Sequence, residues 1–192
     1  MMAATNNKEP QRIHPHKFTL WVAMGSIIMM FAGLTSAYIV KRSQSNWLEF
    51  SLPFVFWYST ATIIISSITV QLSLKAFIAR EMKQYRTLIG ITAFLGVLFI
   101  SLQLVGFYNL ESRGIPLFGV KSNSATSFLG IITGLHIVHV LAGVIAILVL
   151  FIKAYFSKIK NYSSVPLEII STYWHFVDIL WIYLFIFFNW PR

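Results

Sequence analysis

Five uninterrupted apolar runs, at 18–40, 53–77, 87–108, 125–152 and 166–190, constrain this chain more than any other feature. A helix rises about 1.5 Å per residue, so roughly 20 apolar residues cross about 30 Å of hydrocarbon. Each run is long enough to do so, some with tilt to spare. Strands of a membrane barrel would be about ten residues long and would alternate polar with apolar, so the runs predict helices. The expected fold is an all-α integral membrane protein, one domain over residues 1–192 built as a bundle of five transmembrane helices. Only 11% of the residues are charged and 57% are apolar, against about 25% charged in a soluble domain. That excludes a soluble enzyme.

The charge that remains sets the orientation. Lys8, Arg12 and Lys17 precede the first run, Lys75, Arg80, Lys83 and Arg86 flank the second loop, and Lys153, Lys158 and Lys160 flank the fourth. The opposite side carries only Lys41, Arg42, Arg113, Lys121 and Arg192. The bias predicts a cytoplasmic N-terminus and a periplasmic C-terminus. It also accounts for the formal net charge of +9 without a nucleic-acid partner. The first run is too long for a secretory signal and lacks a small-residue cleavage site, so no cleaved leader is expected. With no cysteine, disulfides, thiolate metal sites, c-type haem attachment and cysteine nucleophiles are excluded. The charge pattern and the short tail point to a bacterial inner membrane.

Several runs read as helices packed on protein. Ser59, Thr62, Ser66, Thr69 and Ser73 form one narrow stripe of small residues, and Gly130 with Gly134 makes a GxxxG; both patterns predict close helix packing. Trp21, Trp47, Trp57, Tyr58 and Trp190 suit interfacial anchoring, whereas Trp174 and Trp181 fall too deep for it.

Ionisable groups in hydrocarbon are costly and need partners. The candidates are His136 and His139 on the fourth run and Glu168, His175 and Asp178 on the fifth. At about 100° per residue, Glu168, Ser171, His175 and Asp178 share a sector of about 80°, so they face protein or a lipid headgroup. His175 and Asp178, at i and i+3, can hydrogen-bond directly or share a partner. For the two histidines of the fourth run, three roles compete: satisfied structural groups, metal or haem ligands, and proton carriers. A dihaem cytochrome needs four axial ligands where only three intramembrane histidines exist. His14 and His16, beside Pro15, read as loop residues. Five scattered histidines are too few for a di-metal hydroxylase site, and no phosphate loop, catalytic triad or paired-carboxylate motif is present.

The last two runs carry a resemblance. Tyr173, Trp174, His175, Phe176, Asp178 and Trp181 lie in the aromatic-Trp-His-Phe-x-Asp-x-x-Trp order of the final helix of haem-copper oxidase subunit III. Thr133, Gly134, His136, His139, Val140 and Gly143 match that family's Thr-Gly-x-His-x-x-His-Val-x-x-Gly segment without a gap, and Glu168 matches a further family position. The chain resembles the short, five-helix form that lacks the first two of seven helices. The resemblance implies an accessory subunit of a proton-pumping terminal oxidase in aerobic respiration, non-catalytic itself, stabilising the catalytic subunit and holding structural phospholipid. It further implies partners in subunits I and II, which would hold the haem and copper, and no redox centre or metal on this chain. His136, His139, Glu168, His175 and Asp178 would be the buried polar positions, forming a hydrogen-bonded network that fixes the last two helices together. Two positions depart from the pattern: Ile27 and Gly106 stand where many members carry an acid, so neither can release a proton. Two rival readings are a small proton-coupled transporter, using the same buried groups as a relay, and a b-type cytochrome anchor ligating haem through His136, His139 or His175.

Overall fold

The computed structural model describes residues 15–43, 52–117, 123–156 and 163–190. His14 and Trp47, and the charges at Lys8, Arg12, Lys121, Lys158, Lys160 and Arg192, lie outside the described residues. Five helices form, α1 (Pro15–Arg42), α2 (Val55–Ile78), α3 (Met82–Ser112), α4 (Ser124–Phe156) and α5 (Val165–Asn189). All five are long and apolar enough to cross a membrane.

The helices overrun the apolar runs where nothing breaks them. Lys83 and Arg86 extend α3 at one end, and Asn109 and Glu111 extend it at the other. Its 31 residues span about 46 Å at the standard helical rise. The 33 residues of α4 span about 50 Å, so the polar ends of both helices reach past about 30 Å of hydrocarbon.

Two of the stops share one geometry. At the end of α3 the Ile115 N–H reaches Leu110 O and the Gly114 N–H reaches Glu111 O, with Gly114 at φ +75°. This is the Schellman arrangement, whose left-handed residue is usually glycine. The end of α2 repeats it, with the Glu81 N–H on Ala76 O and the Arg80 N–H on Phe77 O, but Arg80 takes the left-handed position at φ +62°. The turn between α2 and α3 is thereby held to three residues. At the start of α4, Asn123 Oδ1 accepts from the Ala125 N–H and the Thr126 hydroxyl donates to Pro116 O, which closes the α3–α4 connection.

By backbone proximity α2, α3, α4 and α5 form a ring in which each lies beside its two neighbours, and α3 and α5 meet across it through side chains such as Phe99 and Trp181, 5.3 Å between centroids; the α1 backbone lies outside the ring, beside α4 and α5. The main core runs through the ring, with Ile63, Ile89, Phe99, Ile147 and Trp174 fully enclosed. A smaller cluster, Phe31, Tyr38, Ile132, Leu180 and Leu184, joins α1 to α4 and α5. Because α1 has so few neighbours, it exposes Phe18, Trp21, Met29, Ile39 and Val40. Trp57, Tyr58 and Trp190 are also exposed, while Trp174 and Trp181 are buried, as expected from their depth in the last run.

Replacing Arg80 with glycine removes the cost of a side chain in the left-handed region. Arg80→Gly is expected to stabilise the protein by about 1 kcal/mol, read as a higher midpoint in a denaturing-detergent titration; an unchanged or lower midpoint would count against strain at this turn.

Candidate functional site

The polar residues of α5 are distributed to different neighbours by the ring geometry. Glu168 sits in the first turn of α5, where the helix dipole favours an acid. Its Oε2 accepts from Lys17 Nζ of α1 at 2.7 Å, and its Oε1 accepts from the Ser164 hydroxyl. Two turns on, His175 faces α2. Its Nε2 lies 3.1 Å from Gln71 Oε1 and its Nδ1 lies 2.6 Å from the Ser67 hydroxyl. A carbonyl oxygen only accepts, so Nε2 carries a proton. Both ring nitrogens of His175 thus have a partner on α2.

Asp178 does not bond to His175. It is buried, and neither carboxylate oxygen has a hydrogen-bond partner among the described residues. The Ser67 hydroxyl lies nearby but is engaged with His175.

The fourth helix behaves differently. His136 is fully buried, with neither ring nitrogen hydrogen-bonded among the described residues. Its imidazole stacks on the Trp181 indole at 5.2 Å between centroids, with Phe99 and Phe31 edge-on at 6.1 and 6.4 Å. His139 donates from Nδ1 to Leu135 O of its own helix at 2.7 Å, while the Tyr173 hydroxyl donates to the His139 carbonyl at 3.0 Å.

The expected hydrogen-bonded network joining α4 to α5 through these five side chains is therefore not what forms. The polar sector of α5 is turned toward α1 and α2, away from α4. Its side chains contribute to the α2–α5 seam, along with two indoles: Trp174 Nε1 donates to Ser66 Oγ at 3.1 Å and Trp181 Nε1 donates to Thr60 Oγ1 at 3.0 Å. A further bond, between Tyr183 and Thr35 at 3.1 Å, ties α5 to α1.

The small-residue stripe of α2 serves two neighbours. Ser59 receives the Gln103 amide of α3 at 3.0 Å, Thr69 meets Thr92 of α3 at 2.9 Å, and Ser66 receives Trp174 of α5. Thr62 returns its hydroxyl to Tyr58 O. Ser73 is buried, its hydroxyl without a hydrogen-bond partner among the described residues. The GxxxG pair does not make a tight crossing within the described residues: Gly130 is buried, but a Cβ at Gly134 would meet nothing within 4 Å. Close approach occurs elsewhere, because the bulk that demands it is the Trp174 ring. A Cβ at Gly96 would lie 2.9 Å from that ring and 2.8 Å from Val144, and a Cβ at Gly143 would also lie 2.9 Å from Trp174.

The two positions that depart from the acidic pattern are both filled. Ile27 packs against the α1–α4–α5 cluster. Gly106 makes room for Phe56, whose ring would stand 2.8 Å from an added Cβ and which stacks with Trp181 at 6.2 Å. Ser67, Gln71 and Lys17 were absent from the sequence-derived set. Ser67 and Gln71 form an i, i+4 polar pair beside the α2 stripe, and that spacing was the available signal.

Comparison with known proteins places this geometry. Residues 46–191 match the family model described as cytochrome c oxidase subunit III. The chain is 33% identical to the probable cytochrome c oxidase subunit 3 of Nocardia farcinica, with 91% of this chain and 90% of the relative covered. It is 30% identical to cytochrome c oxidase subunit 3 of Corynebacterium diphtheriae over 97% of both. It is 28% identical to the cytochrome bo(3) ubiquinol oxidase subunit 3 of Pseudomonas aeruginosa, over 88% of this chain and 81% of the relative.

Two substitution tests follow from the geometry. Gly143→Ala is expected to destabilise the protein by about 1–3 kcal/mol through overpacking, and by less in a Trp174→Phe background; equal losses in the two backgrounds would break the proposed coupling. His175→Leu removes the ring that Ser67 and Gln71 bond, whereas Asp178→Asn removes a carboxyl that has no hydrogen-bond partner among the described residues. The first should lower the detergent-denaturation midpoint and the second should hold or raise it; the reverse order would contradict the hydrogen-bond assignment.

Proposed function

Because the chain belongs to the cytochrome c oxidase subunit III family, we propose that it is the accessory subunit of a proton-pumping haem-copper terminal oxidase in a bacterial inner membrane. It packs against subunits I and II, which hold the haem and copper, stabilises the catalytic subunit and carries structural phospholipid. The N-terminus lies in the cytoplasm and the C-terminus in the periplasm, the orientation that the Lys and Arg bias favours.

The observation that carries this reading is the family match over residues 46–191, which includes both motif segments. The signature of α5 is also the packing face of the bundle: Trp174, Val177 and Trp181 enter the main core, and His175 is tied to α2. The outward faces support an assembled, lipid-coated subunit. Phe94, Tyr108, Val138 and Phe156 all stand exposed, apolar surface suited to lipid or a neighbouring membrane chain. An apolar groove of about 300 Å³ between α1 and α5, lined by Ile28, Phe31, Phe176, Ile179 and Tyr183, is shaped for acyl chains.

The rival readings have less support. Phe31, Phe99 and Trp181 close around His136, so a porphyrin has no open face at that ring. Transporter sites are often built on discontinuous helices, whereas α1 to α5 run unbroken through their ranges. Proton release at the two departing positions is not part of the proposal, since Ile27 and Gly106 have no ionisable group.

The test is a mild-detergent pull-down on the tagged chain, with a reduced-minus-oxidised haem spectrum, oxygen uptake and mass spectrometry of the eluate. Haem-bearing large subunits with oxygen uptake are expected to co-elute. A colourless chain without partners would overturn the proposal in favour of a transporter, and haem on the isolated chain would favour the cytochrome anchor.

A further inference from the structure

His139 has a ring nitrogen to spare. Its Nδ1 donates to Leu135 O of the same helix at 2.7 Å, and with Nδ1 protonated the neutral ring keeps a lone pair on Nε2. That nitrogen has no hydrogen-bond partner among the described residues and, unlike both ring nitrogens of His136, it is not enclosed. The residue is half-buried, with Phe31 of α1 edge-on at 5.8 Å. Ile27 and Leu34, a turn to either side of Phe31, are apolar. From α5 the Tyr173 hydroxyl already donates to the His139 carbonyl. The side chains around His139 therefore offer Nε2 no hydrogen.

Depth decides what can. His139 lies at the middle of the apolar run 125–152, about 22 Å from the start of α4. Half of the hydrocarbon core is about 15 Å thick, so lipid headgroups and bulk water stop well short of it. An acyl chain has no N–H or O–H to give. An open imidazole acceptor at that depth is costly unless another protein segment meets it. The surrounding flank suits a close approach. Ala142 and Ala146 follow His139 on the same side of the helix at i+3 and i+7, and Ala142 is exposed beside Val138, Leu141 and Ile145. Small side chains let two membrane helices come near enough to hydrogen-bond.

We infer that this flank of α4, centred on His139, is where a transmembrane helix of another subunit packs, presenting an O–H or N–H donor to Nε2 at mid-membrane. The inference rests on the proposed place of the chain in an oxidase complex and adds which face meets a partner and through what bond. A hydroxyl, carboxamide or indole meets the requirement; a wholly apolar helix leaves the lone pair unmet.

The test uses the oxidase complex purified through the tagged chain. A photoreactive benzophenone side chain installed at Ala142 is expected, on illumination, to join this chain to a transmembrane helix of another subunit, identified by mass spectrometry of the cross-linked peptide. His139→Phe keeps an aromatic ring against Phe31 and removes the lone pair. It should speed loss of the chain from the complex in detergent by about tenfold, the effect of leaving one buried donor unmet. His139→Gln returns an acceptor at the reach of Nε2 and should hold that rate within about threefold of wild type. Cross-links to lipid alone, wild-type retention of the Phe variant, or equal loss of the Phe and Gln variants would each overturn the inference. The cross-link leaves His139 in place, so it decides the matter even where the variants fold poorly. Haem content separates the two failures: without haem-bearing partners the subunit reading fails, and with them but with lipid alone cross-linked only this inference does.

Discussion

The placement of the Trp174 indole decides how four helices meet. It leaves α5, enters the ring, lies against the backbone at Gly96 of α3 and Gly143 of α4, and donates its N–H to Ser66 of α2. Each contact requires a particular small or hydroxylated residue on the facing helix. A β-carbon at either glycine would stand inside the contact distance of a ring that has another wall behind it. Ring spacing follows from that single side chain, as does the position of Trp181 two turns on, which His136 and Phe56 then stack against.

Inside a bilayer the hydrophobic effect does not draw helices together, because lipid tails are as apolar as leucine. Association rests on packing and on hydrogen bonds between helices, each worth about 0.6 kcal/mol on average. The bonds here are unevenly shared. Among the described residues four side-chain hydrogen bonds join α2 to α5 and two join α2 to α3, while α3 and α4 meet through close contacts such as the Phe151 ring over Gly90. Among the described residues, α1 is joined to α5 by the Lys17–Glu168 pair near one end and by Thr35–Tyr183 further along. The helix with the least buried surface is also the one that borders the apolar groove against α5.

The polar groups divide into two kinds. Glu168 and His175 are satisfied by α1 and α2, so their function is visible within one chain. His136 and Asp178 are buried with no hydrogen-bond partner among the described residues. His136 is enclosed by aromatic faces, which makes it a packing element of the core. Asp178 sits in the α5 sector that contains His175, close to a serine hydroxyl already in use.

Number, position and helical nature of the spans were legible in the sequence, because crossing hydrocarbon with every backbone group bonded is a local requirement on about 20 consecutive residues. The gathering of Glu168, Ser171, His175 and Asp178 on one side of α5 was legible for the same reason, since helical periodicity is local. Which helix that side would face was not. Periodicity gives a direction around one axis and says nothing of what lies there, so the pairing of His175 with Ser67 and Gln71, in place of Asp178, needed the assembled ring. The glycines show the same division. Gly130 and Gly134 form a motif, yet Gly134 faces open space, while Gly96 and Gly143 are tight because a ring from a third helix arrives between them. Chain-local physics determined the membrane class and the faces of each helix; the partner of each face was decided only in three dimensions, where one bulky indole had to find room among four backbones.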